Sequence, residues 1–279
     1  MAEATATASA ARPRRPITLR RVFASRIVSV ALYAIVVWLI FRTARTGAEA
    51  MGYNWQWYRV PQYFLRRTEG GLELGELVTG LGASLLLSSV AFLLAIVVGL
   101  AVALLRLSDL VVGKAVARVF LEIVRNMPLL VLLYVFYYVG GPIFGLDRYV
   151  ASVLCLGVFH GALVSEIFRA GINSVPRGQW EAAKSIGMTR GQSYRYIILP
   201  QSVRFMLPPL TGEAVNMIKS SAIVSVIAVA ELTTAGRNII SDTYMSFEIW
   251  FTVAIVYLAV TLCLSVFVTR LERKYAVKT

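Results

Sequence analysis

At 279 residues, with 58% apolar and 15% charged residues and a mean hydropathy of +0.69, the chain carries more hydrocarbon surface than one water-soluble core can hide. Its 28 Lys and Arg against 15 Asp and Glu give a net charge of +13, which in a soluble protein would point to nucleic acid; here the positive residues stand between apolar runs, as in a membrane topology, so membrane lipid and not nucleic acid is the expected environment. Two cysteines, Cys155 and Cys263, each inside an apolar run, and the solitary His160 supply neither a disulfide framework nor a metal cluster.

Residues 1–26 pass from a small-residue stretch into Arg12, Arg14, Arg15, Arg20, Arg21 and Arg26, the composition of a basic cytoplasmic tail that ends at a membrane surface. Residues 27–41 form the first apolar run, which at 15 residues is short for a span and also the size of a signal-peptide core. Ala48-Glu49-Ala50 resembles a cleavage sequence, whereas the bulky Trp38 and Phe41 and the intervening Arg42 and Arg45 speak for a retained transmembrane helix. An external, aromatic-rich connector follows over 42–75, with Trp55, Trp57, Tyr58, Tyr63 and Phe64 suited to headgroup level.

Five further apolar runs cover about 77–105, 117–139, 149–168, 205–230 and 247–268. Each is long enough to cross ~30 Å of hydrocarbon at ~1.5 Å per residue. Helices are expected because every backbone group must be satisfied within its own segment, and the ten-residue alternation of a membrane barrel is absent from the sequence. The fold class is therefore all-α, a polytopic membrane bundle of about six helices. With the amino terminus inside, 19 positive residues fall in cytoplasmic segments and seven outside, with Arg125 and Lys219 inside helices, which places both termini in the cytoplasm.

The segment 174–210 is too ordered in pattern for a linker. Ser174 and Pro176 read as an N-cap and early-helix proline, and Trp180, Ala183 and Ile186 follow at helical spacing before Gly187. A short helix parallel to the membrane is expected, then a second piece from Gly191, with Pro200 marking the turn back into the bilayer. Glu181-Ala182-Ala183, Gly187, Ile197 and Leu199-Pro200 reproduce the E-A-A-x3-G-x9-I-x-L-P spacing of the EAA signature. On these residues the chain resembles the inner-membrane permeases of bacterial ABC importers. Glu166-Ile167, Arg169-Ala170-Gly171-Ile172, Gly178-Gln179, Ile198 to Gln201, Leu207-Pro208-Pro209-Leu210 and Phe247-Glu248 are similar to the branch that takes up polar amino acids.

The resemblance, over 77–275, implies a five-helix core preceded by one extra helix. It makes 174–200 a coupling segment for two copies of a separate ATPase, with Gln179, Glu181, Ala182, Ala183, Gly187, Leu199 and Pro200 as the residues concerned. It further implies a second permease chain, identical or homologous, and an extracytoplasmic amino-acid-binding protein, with the assembly in the bacterial inner membrane. No G-x-x-x-x-G-K-[ST] occurs, so the chain is expected to be no enzyme, to have no catalytic residues and to hold no cofactor, ATP and Mg being bound by the partner.

Ionisable groups inside spans cost roughly 2.5–3.5 kcal/mol each at mid-bilayer and so mark cavities or partners. Glu213, Asn216 and Lys219, followed by Ser220, lie along one helix face and offer both signs to an amino acid; helix contacts near a dimer interface are the alternative. Lys219-Ser220-Ser221-Ala222-Ile223 departs from the relatives' K-D-[ST]-S-L, which puts the role of the missing acid in doubt. Glu248 reads as a pathway residue at the outer mouth of the last span or as a snorkelling carboxylate. Thr79, Ser84, Ser88 and Ser89 read as helix-packing residues, His160 as a satisfied interior histidine, and Glu122 with Arg125 as a local pair. A secondary transporter driven by ions is the alternative function; it should show two equivalent halves, and no internal repeat is found.

Overall fold

The structure, a computed structural model, describes residues 26–68 and 71–275. The basic tail expected over 1–26 lies outside the described residues except for its last arginine. Two units are distinguished, up to Trp55 and from Gln56 onward.

The first unit holds α1, Arg26–Ala50. It is longer than the expected 27–41, and the connector expected from residue 42 begins only after Ala50. The reason is local. Arg45 Nε donates to Glu49 Oε1 at 2.8 Å one turn on, and Thr43 and Thr46 bond back to carbonyls of the preceding turn, so the charged stretch continues the helix. Val28–Ala50 is long and apolar enough to cross a membrane.

The second unit opens with a 3₁₀ turn, Trp57–Tyr63, and a short antiparallel hairpin, β1 (Leu65–Thr68) with β2 (Gly71–Leu74), in which Leu65 faces Leu74 and Arg66 faces Glu73. The hairpin is a small departure from the all-helical expectation. Then come α2 (Glu76–Leu107), α3 (Val111–Asn126), α4 (Leu129–Tyr134), a π-helical stretch to Gly140, α5 (Gly141–Phe144) and α6 (Arg148–Asn173). The chain continues through α7 (Arg177–Ser185), α8 (Arg190–Ser193), a second π-helical stretch over Tyr194–Ile198, and α9 (Leu199–Ser221). A 3₁₀ turn over Ala222–Ile227 leads to α10 (Leu232–Thr243) and α11 (Ser246–Tyr275).

Among the described residues four helices are long and apolar enough to cross a membrane by themselves, and up to six spans result when each bent pair counts as one. The run expected as a straight span over 117–139 is one of those pairs. It breaks by 108° at Met127-Pro128, because the proline disfavours a helical residue before it and donates no backbone bond. Its first half, α3, spaces Lys114, Arg118, Glu122 and Arg125 at helical intervals along one face, the pattern of a helix lying along a surface. The run expected over 205–230 likewise bends by 45° before α10.

The most extensive packing is between α2 and α6. They run parallel, since Gly157 lies against Leu94, Gly161 against Val98, and Glu166 near Arg106. A Cβ built at Gly161 would stand 2.8 Å from Val98 Cγ1, so the glycine is what lets the backbones approach. Without a hydrophobic drive between helices in lipid, such close van der Waals contact is a main source of association. The central core gathers Leu87, Ala91, Ala95, Leu133, Cys155, Leu156, Val164, Met217 and Val224 around this seam. A second cluster, with Tyr63, Leu77, Leu232, Met245 and Ile249, closes the end where α2 begins; we term it the upper end. A third, with Ile172, Val175, Ile198 and Met206, closes the lower end.

Gly161→Ala is expected to lower stability by about 1–3 kcal/mol, read as a lower thermal midpoint of the detergent-solubilised protein. Gly82→Ala, where an added Cβ meets nothing within 4 Å, should leave the midpoint unchanged or raise it.

Candidate functional site

The 174–200 segment hangs from the lower end of α6 as a helix, a turn and a helix. Ser174, expected as the N-cap of α7, instead sends its hydroxyl back to the Gly171 carbonyl at 2.7 Å, and Pro176 occupies the cap position without a side-chain bond. A proline there suits a helix start, because it has no N–H to leave unpaired.

The last turn of α7 closes in a Schellman arrangement. Gly187 N–H donates to the Lys184 carbonyl at 3.0 Å and Met188 N–H to the Ala183 carbonyl at 3.1 Å, with Gly187 at φ +75°, a left-handed conformation that favours glycine. Thr189 then starts α8 with a capping box to Gln192. Pro200 does not mark a turn. The chain remains helical from Arg190 to Ser221, because the π-helical stretch before Leu199 shifts the hydrogen-bond ladder just ahead of the proline, and Gln201 Nε2 takes the Ile197 carbonyl at 3.0 Å.

Within the segment the signature residues divide by exposure. Ala183 is fully buried and Trp180 meets Tyr194 edge to face at 5.0 Å, so one face of α7 packs on the chain itself. Gln201 Nε2 also reaches Gln179 Oε1 at 3.2 Å, tying α7 to α9. Glu181, Ala182, Gly187, Leu199 and Pro200 are exposed, as is Ile186, which is 73% exposed at the tip. Among the described residues the Glu181 carboxylate makes no hydrogen bond or ion pair. Arg190 pairs with Asp109 and donates to the Leu107 carbonyl at 3.1 Å, tethering the segment to the end of α2.

Beside it, the Glu166 carboxylate gathers three arginines. Arg169 grips Oε2 through Nε at 3.0 Å and Nη2 at 2.9 Å, while Arg106 and, at 3.4 Å, Arg125 meet Oε1. Arg125 thus pairs with α6, not with Glu122 as its spacing suggested; Glu122 accepts from the Asn126 amide at 3.2 Å. One carboxylate joins α2, α3 and α6.

The stripe on α9 also divides. Glu213 turns inward, 8% exposed, with Oε1 2.6 Å from His160 Nδ1 on α6 and Oε2 accepting from Asn216 at 3.2 Å. His160 is satisfied on one side alone, since its Nε2 is buried without a partner among the described residues. Asn216 and Lys219 lie on the exposed face of α9 and Ser220 is half-buried. Glu248 does not snorkel. It is fully buried and accepts the Gln56 N–H at 2.6 Å, which pins the connector to α11.

Sequence reasoning missed Glu231. It is 1% exposed and caps α10 by accepting from Thr233 N–H at 2.9 Å and Thr234 N–H at 2.7 Å. It also takes the Tyr257 hydroxyl of α11 at 2.9 Å and the Ser84 hydroxyl of α2 at 3.3 Å. The signal was available: an acid placed two and three residues before two threonines at the end of an apolar run is an N-cap pattern.

Residues 93–277 match the family described as binding-protein-dependent transport system inner membrane component. The chain is 37% identical over 193 residues to the probable glutamine ABC transporter permease protein GlnM of Bacillus subtilis, covering 68% of this chain and 89% of that one. It is 29% identical over 240 residues to the glutamate/aspartate import permease protein GltJ of Escherichia coli, covering 80% and 96%. A crystal structure of an amino acid ABC transporter with histidines superposes with a TM-score of 0.68 at 39% identity, over 71% of this chain and 94% of that one. An inward-facing MetNI methionine ABC transporter, at 20% identity and a TM-score of 0.62, shares the fold.

Glu231→Ala is expected to cost more than about 2 kcal/mol, because it removes a helix cap and the shared acceptor of the Tyr257 and Ser84 hydroxyls. Glu231→Gln, which can still accept, should recover part of that loss in the same thermal unfolding measurement.

Proposed function

This chain belongs to the family of binding-protein-dependent transport-system inner-membrane components and is a permease subunit of an amino-acid ABC importer, and from that premise we propose how its parts divide the work. The lower end is cytoplasmic, and the exposed face of α7, carrying Glu181, Ala182 and Ile186, docks on a separate ATPase that holds ATP and Mg. Two such ATPases act on a pair of permease chains, and an extracytoplasmic binding protein delivers a polar amino acid to the upper end. Both chain termini are on the cytoplasmic side.

The observation that carries the coupling role is the division of α7 into a packed and an open face. Ala183 and Trp180 fix the helix to its own chain, while a carboxylate, a methyl and an isoleucine face outward. A partner with a basic residue beside a small apolar groove fits that face. Because α7 is bonded to α9 through Gln179 and Gln201, and α8, which follows it after a short turn, is bonded to α2 through Arg190, a displacement of α7 moves transmembrane helices instead of a loose loop. Gln179, Ala183, Gly187, Leu199 and Pro200 serve by building this rigid corner, and Glu181 and Ala182 by touching the partner.

The substrate path follows the exposed face of α9, where Asn216, Lys219 and Ser220 present polar atoms and Glu213 stands behind them, its charge directed through Asn216. Glu248 is an anchor for the connector.

In proteoliposomes holding the whole importer, Glu181→Ala is expected to reduce ATP-coupled uptake of labelled amino acid by about tenfold, the equivalent of ~1.4 kcal/mol of lost coupling. Uptake at the wild-type rate would refute the assignment of α7.

A further inference from the structure

Two cavities at the upper end share a wall, and the charges around the first of them match a particular kind of amino acid. The first, of about 220 Å³, is lined by Arg59, Gln62, Tyr63, Arg66 and Glu76. The second, of about 230 Å³, continues from Glu76 past Thr79 and Glu231 to Thr234 and Asn238. All the charged residues of the first cavity precede residue 93, where the matched family region begins.

Arg59 is held but not neutralised, and Arg66 and Glu76 are exposed. Gln56, fixed by its bond to buried Glu248, accepts from Arg59 Nη1 at 2.7 Å through Oε1, which orients that guanidinium while leaving most of its donors free. Arg66 sits on β1 across from Glu73 and makes no ion pair with it. Among the described residues neither Arg66 nor the Glu76 carboxylate has a hydrogen-bonding or ionic partner. Tyr63, which forms one wall, is part of the upper core, and Gly75 N–H bonds to the Phe64 carbonyl at 2.8 Å, so the hairpin and the start of α2 are fixed against each other. In the second cavity the Thr234 hydroxyl is buried with no partner among the described residues. A buried hydroxyl in that state remains unfavourable until a polar group reaches it.

We propose that this pair of cavities is an entry subsite for an acidic amino acid. The two guanidiniums of Arg59 and Arg66 receive its two carboxylates, Glu76 receives its ammonium, and Thr234 and Asn238 lie along its way inward. Carboxylate recognition by guanidinium is geometrically specific, and one acid beside two arginines mirrors the charges of an amino acid that carries a second carboxylate. The inference rests on the transport reading above, with the upper end facing outward, and narrows its substrate class.

The test is equilibrium binding of labelled L-glutamate to the full chain assembled with its ATPase in nanodiscs, without the binding protein. Saturable binding is expected, with L-aspartate competing well and L-glutamine about tenfold more weakly. Arg59→Gln combined with Arg66→Gln should weaken binding by about tenfold or more, and the corresponding pair of lysine substitutions should restore part of it. Arg67→Gln, next on the strand but not lining the cavity, should bind as wild type. Absence of saturable binding, equal binding by the double glutamine variant, or an equal loss in Arg67→Gln would overturn the proposal. So would intact glutamate binding in a double variant that has lost affinity for the binding protein, because the arginines would then be a protein-docking patch. ATP-dependent uptake by the wild-type importer is measured in parallel: uptake without glutamate binding sinks this subsite alone, and absence of uptake of any amino acid sinks the transport reading.

Discussion

A carboxylate inside a hydrocarbon-embedded bundle has no water to turn to, and the positions of the helices follow from where each one finds its partners. Three buried acids and Glu166, which is partly exposed at the lower end, find partners across long stretches of chain. Glu166 reaches Arg106 over 60 residues, Glu213 reaches His160 over 53, Ser84 meets Glu231 over 147, and Gln56 meets Glu248 over 192. An unpaired charge at mid-bilayer costs roughly 2.5–3.5 kcal/mol on insertion scales, comparable to a whole buried aliphatic side chain in a soluble core. The apolar seams determine which faces meet; the acids determine the register at which they meet. Glu231 shows this most fully, since one side chain sits at the bend before α10, starts that helix and joins it to α2 and α11.

The two ends of the bundle use charge differently. At the lower end a single carboxylate is surrounded by three arginines, and Arg190 adds a further tie from the α7–α9 corner to α2. The result is a rigid corner whose outward face is open. At the upper end the connector is pinned by a buried bond, while Arg59, Arg66 and Glu76 remain open to a cavity. Rigidity where force would enter and unpaired charge where a zwitterion would enter is the arrangement a transport subunit requires.

Much of this was legible in the sequence. Span number followed from hydropathy and the 174–200 motif from spacing, because both are local properties. The misses have physical causes. The run over 117–139 looked continuous because α3 and α4 are both rich in apolar residues; the four-residue spacing of Lys114, Arg118 and Glu122 and the proline at 128 were the evidence of a break. Helix α1 was cut short at Arg42 because charge was read as an end, although Arg45 and Glu49 stabilise continuation. Ser174 and Pro200 were given roles that other local bonding took over: the Ser174 hydroxyl turns back to the Gly171 carbonyl, and the π-helical stretch before Leu199 carries the helix through Pro200. Periodicity placed Glu213 and Asn216 on related faces but held no information that His160, on another helix, would be the partner, or that Asn216 would remain exposed while Glu213 turned inward.

The central claim is that the open face of α7 is the contact through which this chain is driven. It is tested most directly by placing a cysteine at Ile186 in a Cys263→Ser background, since the remaining Cys155 is buried, and treating the assembled importer with a short cross-linker that joins this thiol to a lysine amine of the ATPase. The account predicts a cross-link from Ile186→Cys to the ATPase whose yield changes when ATP is added, and none from Leu72→Cys on the hairpin at the opposite end. A cross-link to the ATPase from Leu72→Cys with none from Ile186→Cys would contradict it.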